Sequence, residues 1–116
     1  MSKLFDLEER TFQFAKDVYL LCKKIKNKYI TFEYVDQVIR ASSSIGANYR
    51  EANDALGKKD FTFRVRISRK EAKESTYFLR LMRDVEDTGF NSEFDNLIQE
   101  SIELTKIFSS IIEKSK

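Results

Sequence analysis

RASSSIGANYREANDALGKKDFTFRVRISRKEAKESTYFLRLM, residues Arg40 to Met82, is the stretch whose reading decides the fold. Ser42, Ile45, Tyr49, Ala52 and Leu56 continue a row that begins upstream at Val35 and Val38, in alternating steps of three and four. That spacing places the row on one side of a helix, as in a coiled-coil seam. Ala41, Ser42, Ser43, Ser44, Gly46 and Ala47 crowd its middle. Several are weak helix formers, so their concentration predicts a neighbouring helix too close for larger side chains. The alternative use of Ser42 to Ser44 with Gly46 is a phosphate-binding loop. The unbroken helical stripe and the missing glycine pattern favour close packing.

Gly57 is expected to stop this helix in a left-handed conformation. A long third helix follows, with three faces when its residues are placed about 100° apart. Phe61, Val65, Ser68, Ala72, Ser75, Leu79 and Met82 form the core seam. Phe63, Ile67, Phe78, Leu81 and Val85 make an apolar shoulder beside it, and Lys59, Arg66, Arg69, Lys70, Lys73 and Arg80 form a basic arc opposite the core. A monomeric bundle needs one buried stripe per helix, so the shoulder points to a second copy of the chain. The other account is a wide face lodged between two neighbours of the same bundle.

The basic arc spans about 30 Å at 1.5 Å per residue, enough to follow several phosphates. Between Lys58 and Arg83 nine Lys or Arg face three acids, Asp60, Glu71 and Glu74, a local excess of six positive charges in a chain of net charge +2. A solvated, soluble face is the bland reading; displacement of the acids from the arc favours polyanion binding. Glu71 and Glu74 lie one helical step apart at the edge of the core. They are read as a structural polar network with Arg40 or Arg50, and with Asn48 or Tyr49, against the alternatives of acid/base work or metal binding.

Helices on either side complete the chain. Asp6 and Glu9 resemble a capping arrangement after a short tail, and Thr11 or Phe12, Ala15, Val18, Cys22, Ile25 and Tyr29 form the first apolar stripe. Cys22 reads as a small buried hydrophobe rather than a reactive thiol, since no second Cys or His stands ready to activate it. Thr31 is expected to cap the second helix. Gly89 is expected to end the third, and Ser92 with Asp95 to form a capping box for the fourth, whose seam is Phe94, Leu97, Ser101, Leu104, Phe108 and Ile111, widened by Ile98 and Ile112. Glu113 to Lys116 should fray.

Composition narrows the function classes. The 116 residues allow one domain and one core, and the absence of Pro with only three Gly favours helices. There is no His and one Cys, which removes Ser/His and Cys/His nucleophiles; no P-loop, GxGxxG or CxxC occurs. No apolar run suits a membrane span or signal peptide, and the lone Cys suits a reducing, cytoplasmic setting.

The SSIGAN run, the KKDF that follows it and the later KEAKE carry a resemblance to the 23S rRNA intervening sequence protein family, also called the S23 ribosomal protein family. The resemblance covers nearly the whole chain. Many members carry Ile-x-Glu-Gly or a similar small-residue run after the Asn, where this chain has Tyr49, Arg50 and Asn53. The resemblance implies bacterial up-and-down bundles that tend to form ring-like pentamers, and no catalytic residues. It also implies kinship with the basic pentameric accessory protein of diversity-generating retroelements, which partners a reverse transcriptase and binds nucleic acid.

The combined expectation is an all-α antiparallel up-and-down four-helix bundle in a single domain, 1–116, with helices over about 7–28, 32–56, 59–87 and 92–113. It assembles as a homo-oligomer, a homopentamer by resemblance, through Phe63, Ile67, Phe78, Leu81 and Val85. It is not an enzyme, needs no cofactor or metal, and binds nucleic acid, RNA above DNA, through Lys59, Arg66, Arg69, Lys70, Lys73 and Arg80. The alternative is a protein-interaction adaptor, such as an accessory subunit of a reverse-transcriptase-like partner. A third, a small carboxylate enzyme, would need a water-filled pocket at Glu71 and Glu74.

Overall fold

The computed structural model describes residues 3–25 and 33–116, and these form four helices with no strand: α1 (Lys3–Ile25), α2 (Val35–Asn53), α3 (Lys58–Val85) and α4 (Asn91–Lys114). Each packs on its sequence neighbours, and α1 closes the ring against α4, while α1 lies diagonally across from α3 and α2 from α4. Cross-links fix the directions. Arg50 reaches Glu8, Arg40 reaches Glu71 and Glu74, and Arg83 reaches Asp95, so successive helices run antiparallel. The bundle measures 46 × 24 × 19 Å, and its long axis matches the roughly 42 Å expected of the 28-residue α3.

The core follows the predicted seams. Val35, Val38, Ser42, Ile45, Tyr49 and Ala52 are buried on α2, and Val65, Ser68, Ala72, Ser75, Leu79 and Met82 on α3. Phe94, Leu97, Ser101, Leu104 and Phe108 follow on α4, with Ile98 and Ile112 also buried; Ile111 is only partly so. On α1 the stripe passes through Thr11, while Phe12 is 56% exposed. Leu7, Phe14 and Leu21 join that stripe and Ala15 is half-buried. Each fully buried Leu, Ile, Val or Phe contributes about 1.5–3 kcal/mol, so these rows dominate the stability. Tyr49 and Phe108 meet across the centre with ring centroids 5.8 Å apart.

Buried hydroxyls occupy seam positions without an uncompensated polar cost. Ser68 Oγ donates to Ile45 O of α2 at 2.9 Å, Ser75 Oγ to Glu71 O at 2.9 Å, and Ser101 Oγ to Ile98 O at 2.7 Å. The small-residue run is a close approach, and α1 is the helix that approaches. A Cβ on Gly46 would lie 2.9 Å from Thr11 Oγ1. Ser42 and Ser44 donate to carbonyls of their own helix, Ile39 O and Arg40 O, inside an uninterrupted α-helix. A phosphate-binding loop is therefore ruled out at this segment.

Several end signals act differently from expectation. Leu56, placed at the end of the α2 seam, is 102% exposed because α2 stops at Asn53 before the row reaches it. Gly57 has φ 165°, an extended conformation that serves the entry to α3. The left-handed residue is Gly89, φ +81°, in the turn after Val85, where Asp87 Oδ1 accepts the Gly89 N–H and Thr88 Oγ1 that of Phe90. Ser92 already lies inside α4, whose first residue is Asn91, and no side chain caps that end; Asp95 pairs with Arg83 instead of closing a box. Helix α1 already runs from Lys3, so Asp6 sits in its first turn and not at its cap. At the far end α4 continues to Lys114, past the start of the expected fray. The expected roles of Tyr29 and Thr31, and of residues 26–32 in either helix, lie outside the described residues.

Candidate nucleic-acid interface

The basic arc is built by α3 alone, so the helical repeat of that one element sets the spacing of the charges. Arg66, Arg69, Lys70 and Lys73 line an open cleft of about 660 Å³ together with Gln37 and Arg40 from α2 and Glu74, Tyr77 and Phe78 from α3. Lys59 lies beyond one end, in a second hollow of about 560 Å³ with Lys58, Thr62, Phe63 and Arg66. Arg80 is exposed beyond the other end. All six side chains proposed from sequence thus share one outward side of the bundle.

Which of these charges are already matched decides what the surface can do. Lys70 Nζ is 3.8 Å from Glu74. Among the described residues Lys59, Arg66, Arg69, Lys73 and Arg80 have no carboxylate within ion-pair distance, although Asp84 acts electrostatically on Arg80. Elsewhere most arginines are occupied, although Lys16, Lys23 and Lys114 are without an ion pair among the described residues. Arg10 holds Glu100 at 2.7 Å, Arg50 holds Glu8 at 3.6 Å, and Arg83 is bonded to both Asp84 and Asp95. Among the described residues, every arginine without a carboxylate partner therefore lies on α3.

At the rim of the cleft Arg40 bridges two carboxylates, with Nη1 3.4 Å from Glu71 Oε2 and Nη2 3.2 Å from Glu74 Oε2. Glu71 is buried and its Oε1 has no hydrogen-bond partner, so burial first, then the neighbouring Glu74, pushes its carboxyl above the usual range; Arg40 opposes this. Asn48 stands apart from this cluster. Its Nδ2 donates to Ser44 O and its Oδ1 accepts from Arg64 Nη1 at 3.1 Å. Among the described residues no three carboxylate or thiol side chains converge as a metal site would require.

The proposed shoulder divides. Phe63 and Val85 are more than half exposed, whereas Ile67 and Leu81 are partly buried. Phe78 packs inside its own bundle against Tyr34, centroids 6.3 Å apart. Sequence reasoning passed over Tyr77, which the 100° spacing places within the basic arc and which is 61% exposed. The signal was present: Tyr77 stands one turn after Lys73 and three residues before Arg80. Cys22 is buried, and burial pushes its thiol up to about 12. No helix is long and apolar enough to cross a membrane among the described residues.

An all-helical bundle carrying one basic flank is the class of protein that these observations define. Comparison makes it specific: the model of the 23S rRNA-intervening sequence protein family matches residues 5–110, and the chain belongs to that family. A solved structure from Bacteroides thetaiotaomicron, a protein of unknown function from the S23 ribosomal protein family, is similar at 30% identity. The match covers 97% of this chain and 99% of that one, with a TM-score of 0.84. No curated protein matches the chain.

Proposed function

We propose that this protein is a non-catalytic, oligomeric RNA-binding protein that neutralises phosphates along α3. The observation that carries the reading is the set of five cations, Lys59, Arg66, Arg69, Lys73 and Arg80, left without acid partners on one side of a molecule whose other arginines are largely paired. Unmatched cations in a row release condensed counterions when phosphates replace them, which supplies sequence-independent affinity. The family's association with 23S rRNA favours RNA as the polymer. A rod-like basic flank reads backbone shape, not base identity.

Self-association fits the exposed apolar residues. Phe12 and Tyr19 are exposed on α1, and Phe63 and Val85 on α3. These two helices sit diagonally across the bundle, so their outer sides face opposite ways. Two different patches on opposite sides make a head-to-tail contact, which closes into a ring when the rotation allows, consistent with a pentamer. Multiplying the basic flank around a ring would raise avidity for a long polyanion.

The test is RNA affinity across a salt series, with and without Arg66→Glu, Arg69→Glu and Lys73→Glu together. The wild type should show a log–log slope of several units. The triple variant, with unchanged circular dichroism, should lose binding. Unchanged affinity in the variant would sink the assignment. Binding that survives nuclease and high salt in a pull-down would instead support an adaptor for a protein partner.

A further inference from the structure

Resting on the electrostatic reading above, we infer that the cleft takes single-stranded RNA, with one base stacked on the face of Tyr77. Tyr77 is 61% exposed, and its hydroxyl has no protein partner among the described residues. An exposed tyrosine is ordinary on a helix. This one is set apart by what surrounds it and by what holds it. It lines the cleft with Arg66, Arg69 and Lys73, three cations without ion pairs. Phe78 meets it edge to face, centroids 5.5 Å apart at 75°, and is itself backed by Tyr34. At 61% exposure the ring still offers apolar surface to a base, and a ring held by a neighbouring aromatic loses little freedom when a base settles on it.

The register along α3 fits a strand threading past the ring. Arg69, Lys73 and Tyr77 repeat every four residues, so cation, cation and ring follow one another at intervals of about 6 Å. Arg80 continues the line beyond the ring. A duplex keeps its bases stacked inside and offers an exposed ring only sugar and phosphate, whereas an unpaired base presents a π-face to any aromatic platform. The cleft, about 660 Å³, lies open between the α2 residues Gln37 and Arg40 and the α3 row.

The experiment compares a fluorescein-labelled 16-nucleotide RNA lacking self-complementarity with the same strand annealed to its complement, by anisotropy. The proteins are the full chain, Tyr77→Ala, Tyr77→Phe and the triple charge reversal. Loss of one base–aromatic stack should weaken single-strand binding by about tenfold in Tyr77→Ala, with Tyr77→Phe close to wild type. Duplex affinity and the salt slope should not move. A 2-aminopurine placed in the single strand should be quenched by the wild type and Tyr77→Phe, and less by Tyr77→Ala. Equal effects of Tyr77→Ala on both RNAs, or no effect on either, overturn the stacking site while the triple reversal still reports the phosphate contacts. A wild type that binds neither RNA overturns both readings.

Discussion

Gly46→Ala tests the close approach of α1 to α2. In an exposed helix interior this change is stabilising by about 1 kcal/mol, since alanine removes glycine's excess backbone freedom. Here the new methyl would stand 2.9 Å from Thr11 Oγ1 and 3.3 Å from Thr11 Cβ. Thr11 cannot swing aside cheaply: it is fully buried, and its hydroxyl donates to Leu7 O and Glu8 O, each at 2.9 Å. Overpacking of this kind costs about 1–3 kcal/mol, so the net result is a loss of up to about 2 kcal/mol. In a Thr11→Ala background the nearest atom is gone, and Gly46→Ala should turn neutral or stabilising. Urea unfolding followed at 222 nm, at one protein concentration, gives the four corners of the double-mutant cycle. A gain of about 1 kcal/mol for Gly46→Ala in the wild-type background would refute the close approach of α1 and α2.

Three further outcomes are expected. Glu71 binds its proton more tightly folded than unfolded, so the native state holds more protons as pH rises above the ordinary carboxylate value of 4.5, and stability falls through the raised folded value. Glu71→Gln should flatten that decline in a stability–pH series; an unchanged slope would place its source elsewhere. Cys22 should resist a thiol reagent at pH 8 in the native protein and react in full in denaturant; prompt native labelling would contradict its burial. Leu56→Asp should shift stability by less than about 0.5 kcal/mol, because Leu56 contacts water on all sides; a larger loss would place it in an interface between copies.

Interior rows of α2, α3 and α4 were legible because their apolar and small residues repeat at helical spacing without interruption, and burial follows that periodicity. The Gly46 contact was legible as a need for space, but its partner was not: Thr11 lies 35 residues away, and only packing brings it there. Helix ends were the least legible. Capping patterns are local, whereas Asp95 is drawn to Arg83 across the α3–α4 turn, and Leu56 is left outside by where α2 unwinds. The basic flank could be placed because a charge's angular position on a helix is fixed by its number. Which charges remain unmatched depended on partners from other helices, as with Arg40, and so required the fold.

The ring of helices is not equally tight all round. Helix α1 has its weakest contact with α4, where the ion pairs Arg10–Glu100 and Lys24–Glu93 lie beside open grooves. Amide protons report such unevenness as differing protection, since a helix held by fewer buried contacts opens locally at lower free energy. Exchange should therefore run fastest along the α1–α4 border and slowest in α3. The element that carries the basic flank is then the last to lose its order, and it holds its charges in register while the first helix breathes.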